Sequence, residues 1–393
     1  MPLSLVFRAG LCYYTATMPI KVEHLDLLRK AIGFGLFSCF FAFLWAPFLT
    51  KLLYKYKIVR SAEFDASLSL DGRRDKAGVP IMGGLLVIVT VAIITIAFNW
   101  ERKFTWVPIG VMLLAAVLGG IDDILNIYGT RRRNRGLKQI IRLIGVHKDW
   151  KQRIWLAITL PWSIFKRTSL WLGSHPGRGM LVHERLIMQF IAGAITAWWV
   201  FVKLGDHWRT IYIPFDGQID IGIWLIPLII FFVMFTANAV NFADGMDGLA
   251  GGSLIITFSV LTLLSWVSGY SAITILNSTV VGALITYTYF NIKPARFQMG
   301  DVGSLGLGAL LAINTIAINK MILLPLLGFI FYAEIVSVVI QIIGRHLFGV
   351  RVFRMAPLHH HFELSGWGEE KTVMRFWVVH AAFVFLGLWI SLH

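Results

Sequence analysis

Asn241-Phe-Ala-Asp-Gly-Met-Asp-Gly-Leu-Ala250 sets two carboxylates, an amide and two glycines between apolar runs at 220–240 and 249–268. Each run is long enough to cross a bilayer core, which takes roughly 20 apolar residues in a helix. A carboxylate left unpaired beside hydrocarbon is costly, so ionisable groups at such a boundary usually face a wet cavity, a cation or a ligand. On a helical turn the spacing of Asp244 and Asp247 places both on one face, and Gly245 and Gly248 let a ligand approach the backbone. The same residues also suit a plain helix start, with Asn241 or Asp244 as N-cap of the following span.

Working outward, 57% of the 393 residues are hydrophobic and only 15% are charged. Soluble domains do not reach that composition; an all-α polytopic membrane protein does. Apolar windows fall at 31–53, 80–98, 106–125, 185–204, 220–240, 249–268, 272–290, 303–318, 321–343 and 374–391, which makes about ten spans. The net charge of +15 is concentrated in the connections 54–79, 126–184, 291–302 and 344–373, while the loops 99–105 and 205–219 carry only Arg102, Lys103 and Arg209. The positive-inside rule puts the basic connections, together with 241–248, in the cytoplasm and both ends of the helical core outside. The charge therefore reads as topology and attraction to the lipid surface, not as nucleic-acid binding. Cys12 and Cys39 have no partner spacing, so neither a disulfide framework nor a thiolate metal site is expected.

Residues 1–30 form an N-terminal extension of unknown status; no small-residue cleavage pattern precedes Lys21, and Met18 is an alternative start. The membrane domain is expected over 31–391, interrupted by a basic insert at 139–184. The insert's apolar stretch Ile154–Phe165 is too short to span and is broken by Pro161, so it is expected to lie on the membrane, with Trp150, Trp155, Trp162 and Trp171 as interfacial anchors.

Every polar cluster fit for chemistry falls on the basic side of this map. Asp122-Asp123, Asp244, Asp247 and Asp301 are oxygen ligands of the type Mg2+ or Mn2+ prefers, and no Cys/His set suggests zinc. An Asp-Asp pair ending a span is on its own more often a solvated terminus. Magnesium takes one or two carboxylates and completes its shell with water and phosphate, so Asp301 is expected to carry most of the metal binding. Met299-Gly-Asp-Val-Gly-Ser-Leu-Gly-Leu-Gly308 opens a span. Its helix start suits an anion at Gly303-Ser304, and its glycines equally suit helix packing through Gly303, Gly306 and Gly308. His359-His360-His361 suit phosphate binding or proton transfer. Lys76 adds a cation before the second span, although a lone juxtamembrane Lys is usually a topology signal. Together these suggest phosphoryl transfer between a soluble nucleotide and a lipid phosphate. The rival class is a cation-coupled transporter, which would hold its ionisable groups near mid-membrane.

The stretches Asn241–Ala250, Phe290-Asn-Ile-Lys-Pro-Ala-Arg-Phe-Gln-Met-Gly-Asp-Val-Gly-Ser304, Glu334-Ile-Val-Ser-Val-Val-Ile-Gln341 and Pro357-Leu-His-His-His-Phe-Glu-Leu-Ser-Gly-Trp-Gly-Glu-Glu-Lys371 resemble the polyprenyl-phosphate N-acetylhexosamine-1-phosphate transferases, of glycosyltransferase 4 type. The resemblance covers about 30–391 except the insert. The triple-His segment followed by Arg375-Phe-Trp is most similar to the branch that moves phospho-N-acetylmuramoyl-pentapeptide from UDP to undecaprenyl phosphate, giving lipid I and UMP; a sibling branch moves N-acetylglucosamine-1-phosphate. The resemblance implies catalytic Asp122, Asp123, Asp301 and His359, with Asp122 as base toward the lipid phosphate and Mg2+ on Asp301 and Asp122. It implies a substrate site lined by Lys76, Asn241, Asp244, Gly245, Asp247, Asn291, His360 and His361. It also implies a bacterial plasma membrane location and leaves a homodimer open. Three positions depart from the family. A usual Lys is Asn126 here. A uracil-stacking Phe is Gln298, with Phe297 as the substitute. A second Lys falls at Lys138 or, across the insert, at Arg185, and the insert is expected to supply the missing phosphate contact.

Overall fold

The computed structural model describes residues 22–59, 78–129, 180, 182–204 and 209–393, with five single positions between 142 and 155. Lys76, Lys138 and most of the insert lie outside the described residues. The helices are α1 Val22–Lys55, α2 Leu85–Phe98, α3 Trp106–Tyr128, α4 Val182–Trp198 with a π-helical end Trp199–Leu204, α5 Leu225–Ala243, α6 Leu249–Val267, α7 Ser271–Asn291, α8 Gly300–Ala317, a one-turn α9 Leu324–Leu327, α10 Phe329–Leu347, the short α11 Leu358–Glu363, and α12 Glu369–Ser391. A hairpin of β1 Thr210–Ile213 and β2 Gly217–Asp220 is the one sheet among the described residues.

Nine helices among the described residues are long and apolar enough to cross a membrane. With their lipid-length apolar faces, such as Phe40, Phe48 and Phe231, left exposed, the fold is that of an all-α multi-pass membrane protein. Two expected windows need correction. The window 80–98 is helical only from Leu85, because Gly83 and Gly84 give their N–H groups to the carbonyls of Gln298 and Met299 instead of to a helix. The window 321–343 breaks into a 3-10 turn Met321–Leu323, α9 and α10, the last running on to Leu347. Pro325 opens α9 and cannot continue a preceding helix.

α8 is the axis of the bundle: 89% of its apolar window is buried, chiefly against α3 and α5. Small residues allow that approach. A Cβ on Gly119 of α3 would overlap the Asp301 carbonyl, and one on Gly308 would meet Ala237 of α5. Gly303 lies against Gly84, and Ser304 returns its hydroxyl to the Gly300 carbonyl at 3.0 Å. These residues pack helices; the anion-binding reading of Gly303-Ser304 is set aside. Asn314 of α8 donates to Asn277 of α7 at 2.7 Å. α7 in turn lies on α1, where Ser278 donates to the Ala31 carbonyl at 2.6 Å and Ser38 to the Thr279 carbonyl at 2.7 Å.

The up-and-down order puts the C-terminal ends of α3, α5 and α7, the start of α8, and α11 at one end of the bundle. The hairpin and the 318–323 turn lie at the other. There Lys320 stands 3.5 Å over the Tyr212 ring and donates to the Ser391 carbonyl, and burial lowers its pKa below the usual ammonium range.

Candidate active site

The start of α8 organises the acidic residues. A helix leaves its first N–H groups without intrahelical partners, and here other helices supply the acceptors. Asp244, just past α5, accepts from Gly300 N–H at 3.0 Å. Asp123 of α3 accepts from Asp301 N–H at 3.2 Å and from Val302 N–H at 3.1 Å. Gly300 has φ +73, and a Cβ there would run into the Asp123 carboxylate. Asp123 therefore acts on Asp301 through the backbone. In this arrangement its carboxylate holds the helix start, so the structure gives it a positioning place beside the expected catalytic one. Asp244 is likewise no N-cap: α6 starts at Gly248, φ +84, without a side-chain cap.

Asp122 and Asp301 are the carboxylates that project into the site. Asp122 is 1% exposed, accepts from Met180 N–H at 2.5 Å and pairs with Arg185 of α4. Arg185 also lies 3.3 Å from Asp301 Oδ2, while Asn241 donates to Asp301 Oδ1 at 2.8 Å. Among the described residues, the basic side chain that reaches the acidic centre is Arg185. Asp122 and Arg185 are also charged lining residues of a cavity whose remaining wall is mostly apolar, including Leu118, Met188, Val233 and Leu305.

Gly245 joins this centre to the histidines, because a Cβ there would overlap Nε2 of His359. His359 is 1% exposed and Glu334 is fully buried. Glu334 accepts the His359 backbone N–H and lies 3.2 Å from its Nδ1, while Nε2 is buried with no hydrogen-bond partner. Neither ring nitrogen has a hydrogen bond among the described residues, Nδ1 lying beside the Glu334 carboxylate, and a buried imidazole with an unused nitrogen is suited to meet a ligand atom. The His360 ring packs on that of His359, centroids 4.1 Å apart, with its Nδ1 3.2 Å from Glu363, while His361 Nδ1 accepts from Arg354 N–H at 3.2 Å. The histidines sit on α11, not in a loop.

Three further assignments change. Asp247 does not share a helical face with Asp244; it accepts from Ala295 N–H at 3.3 Å and gives its own N–H to Glu369 at 3.0 Å. Asn291 is a buried brace between Gly248 N–H and the Phe297 carbonyl, both at 2.9 Å. Phe297 is fully buried, with Tyr287 and Phe290 each 5.8 Å away. Its ring has no free face for a base, which corrects its reading as the stacking substitute. Sequence reasoning gave no role to Glu334 or Glu369, although a Glu inside an apolar span is itself a signal of function.

No group of three or more His, Cys, Asp or Glu converges as a metal cage among the described residues. Magnesium needs no such cage when phosphate and water complete its shell. The all-oxygen donor set of Asp122 and Asp301, two carboxylates held on one cationic side chain, Arg185, has the chemistry that a cation of that kind takes.

A buried Asp122 and a partly exposed Asp301 with a basic side chain between them, and an imidazole nearby, lie within one membrane-spanning bundle, and residues 178–319 match the model for glycosyl transferase family 4, which makes this a membrane-embedded transferase. Phospho-N-acetylmuramoyl-pentapeptide-transferase of Chloroflexus aggregans is 34% identical over 326 residues, 81% of this chain and 78% of the relative. Those of Geobacillus sp. and Leptospira biflexa are 32% and 33% identical, covering 88% and 89% of this chain and 92% and 90% of the relatives. The chain belongs to the phospho-N-acetylmuramoyl-pentapeptide-transferase family.

Proposed function

We propose that this protein transfers phospho-N-acetylmuramoyl-pentapeptide from its UDP carrier to undecaprenyl phosphate, forming lipid I and UMP. The observation that carries this reading is the contiguous network from Asp122 and Asp301 through Asn241 and Gly245 to His359, at the end of the bundle where the basic connections lie. In the reaction an oxygen of the lipid phosphate bonds to the donor's β-phosphorus. The bond from that phosphorus to the bridging oxygen breaks, and UMP leaves with the electron pair.

Asp122 accepts the proton of the lipid phosphate, and Arg185 beside it attracts the same phosphate. Nε2 of His359, held from behind by Glu334, meets the donor pyrophosphate. Asn241 fixes Asp301, and Asp123 and Asp244 fix the helix start that carries it. Asp301 with Asp122 would hold Mg2+, which supplies charge neutralisation on the phosphates when bound. The positive-inside pattern supports a site on the cytoplasmic face of the bacterial plasma membrane, where a soluble nucleotide is available. All of these groups come from one chain, so the chemistry does not require a second copy.

The test is UMP release from purified protein. It should require both UDP-N-acetylmuramoyl-pentapeptide and undecaprenyl phosphate. Equal turnover of UDP-N-acetylglucosamine would move the protein to the sibling activity.

A further inference from the structure

Trp367, Lys371 and Arg375 form an ordered cationic patch that the chemistry above does not use. Trp367 precedes α12, and Phe362 of α11 packs on its ring at 4.6 Å. The Arg375 guanidinium lies 4.4 Å and the Lys371 ammonium 5.6 Å from the ring centroid. Lys371 and Arg375 are both exposed and one helical turn apart. The acidic residues beside them turn away: Glu369 and Glu370 lie 3.5 and 3.8 Å from Lys293. Neither Lys371 nor Arg375 has a carboxylate partner among the described residues. Two long cationic side chains held over an indole have already lost part of their freedom, so an incoming anion orders less.

The patch also borders the candidate site. Phe362 is on the same short helix as His359, and Glu369 at the start of α12 accepts the Asp247 N–H. Arg354 braces the intervening turn by donating to the Leu364 carbonyl at 2.7 Å. We propose that Trp367, Lys371 and Arg375 bind the C-terminal carboxylate of the donor's pentapeptide, an inference that rests on the function proposed above. A muramoyl group is an acyl group, so it joins the peptide at its amino end and leaves the carboxyl end free. Five extended residues reach about 17 Å, enough to run from a sugar near His359 to the rim of the site. The planar guanidinium suits a carboxylate, and the indole gives the last side chains an apolar wall.

The experiment measures donor KM in bilayer discs of zwitterionic lipid only, with two donors: the natural pentapeptide and the same peptide ending in a carboxamide. In the unaltered protein the carboxamide donor should have a KM about tenfold higher, equivalent to about 1.4 kcal/mol. A Lys371→Ala/Arg375→Ala protein should show that raised KM with both donors and keep its kcat. Equal KM values for the two donors in the unaltered protein overturn the proposal, and this arm involves no substitution that could misfold. A KM effect of the double substitution that appears only when anionic phospholipid is added assigns the cations to headgroups and also overturns it. If neither donor releases UMP, the proposed function fails and this inference with it; normal turnover without donor discrimination removes the inference alone.

Discussion

Asp123→Asn separates positioning from direct chemistry. The Asp123 carboxylate accepts two backbone N–H groups at the start of α8, at 3.2 and 3.1 Å. Asn keeps one acceptor and turns an NH2 toward the other N–H, so one charge-assisted bond is lost and a donor is left facing a donor, a cost of about 1.5–3 kcal/mol. In a chain of this size that corresponds to a fall in Tm of roughly 2–4 °C. The helix start would also shift, carrying Asp301 with it, and a displacement near 1 Å at a reacting centre costs about 100-fold in rate. We expect kcat to fall by about that factor with donor KM little changed, measured by UMP release beside thermal melting in the same detergent. A rate loss at unchanged Tm would mean that Asp123 touches substrate. An unchanged rate and Tm would refute the capping argument outright.

Other outcomes follow from the same geometry. Arg185→Ala leaves the buried Asp122 without its cation and should lower both Tm and activity. Arg185→Lys should restore Tm more than rate, because one guanidinium nitrogen meets both Asp122 and Asp301 and the planar fork that remains for a phosphate is lost in an ammonium; equal activity of all three proteins would remove Arg185 from the site. Gly245→Ala places a methyl where His359 Nε2 lies and should abolish UMP release while the melting curve stays close to that of the unaltered protein; full activity would show that Nε2 does not face the phosphates. Chelation of divalent cations should stop turnover reversibly, with Mg2+ restoring it. Turnover that survives exhaustive chelation would leave Asp301 and Asp122 with no metal to hold.

Much of the fold was legible because lipid imposes a simple rule on composition. Windows such as 106–125, 249–268 and 272–290 correspond to Trp106–Tyr128, Leu249–Val267 and Ser271–Asn291. The failures occur where the backbone is used for something other than a helix. Residues 80–84 pair with 298–299 in space, and that partner lies over two hundred positions away in sequence. The site was legible as a set of residues, not as a set of roles. Asp122, Asp123, Asp244 and Asp301 all belong to one centre, but whether a carboxylate faces substrate or a backbone N–H depends on where a neighbouring helix begins. Asp123 and Asp244 cap Gly300–Val302, which periodicity within their own helices could not reveal. Likewise Phe297 and Gln298 are adjacent in sequence, and only packing against Tyr287 and Phe290 sends the Phe297 ring inward. Arg185 could not be preferred over Lys138 because an insert of unknown path separates them.

The central claim is that the β-phosphate travels with the sugar onto a lipid phosphate at the Asp122–Asp301 centre. It is tested most directly with donor labelled at the β-phosphorus. The label should pass into the organic-soluble lipid in one-to-one ratio with UMP, and Asp122→Asn should stop both. Release of labelled UDP, with the sugar alone reaching the lipid, would contradict the account.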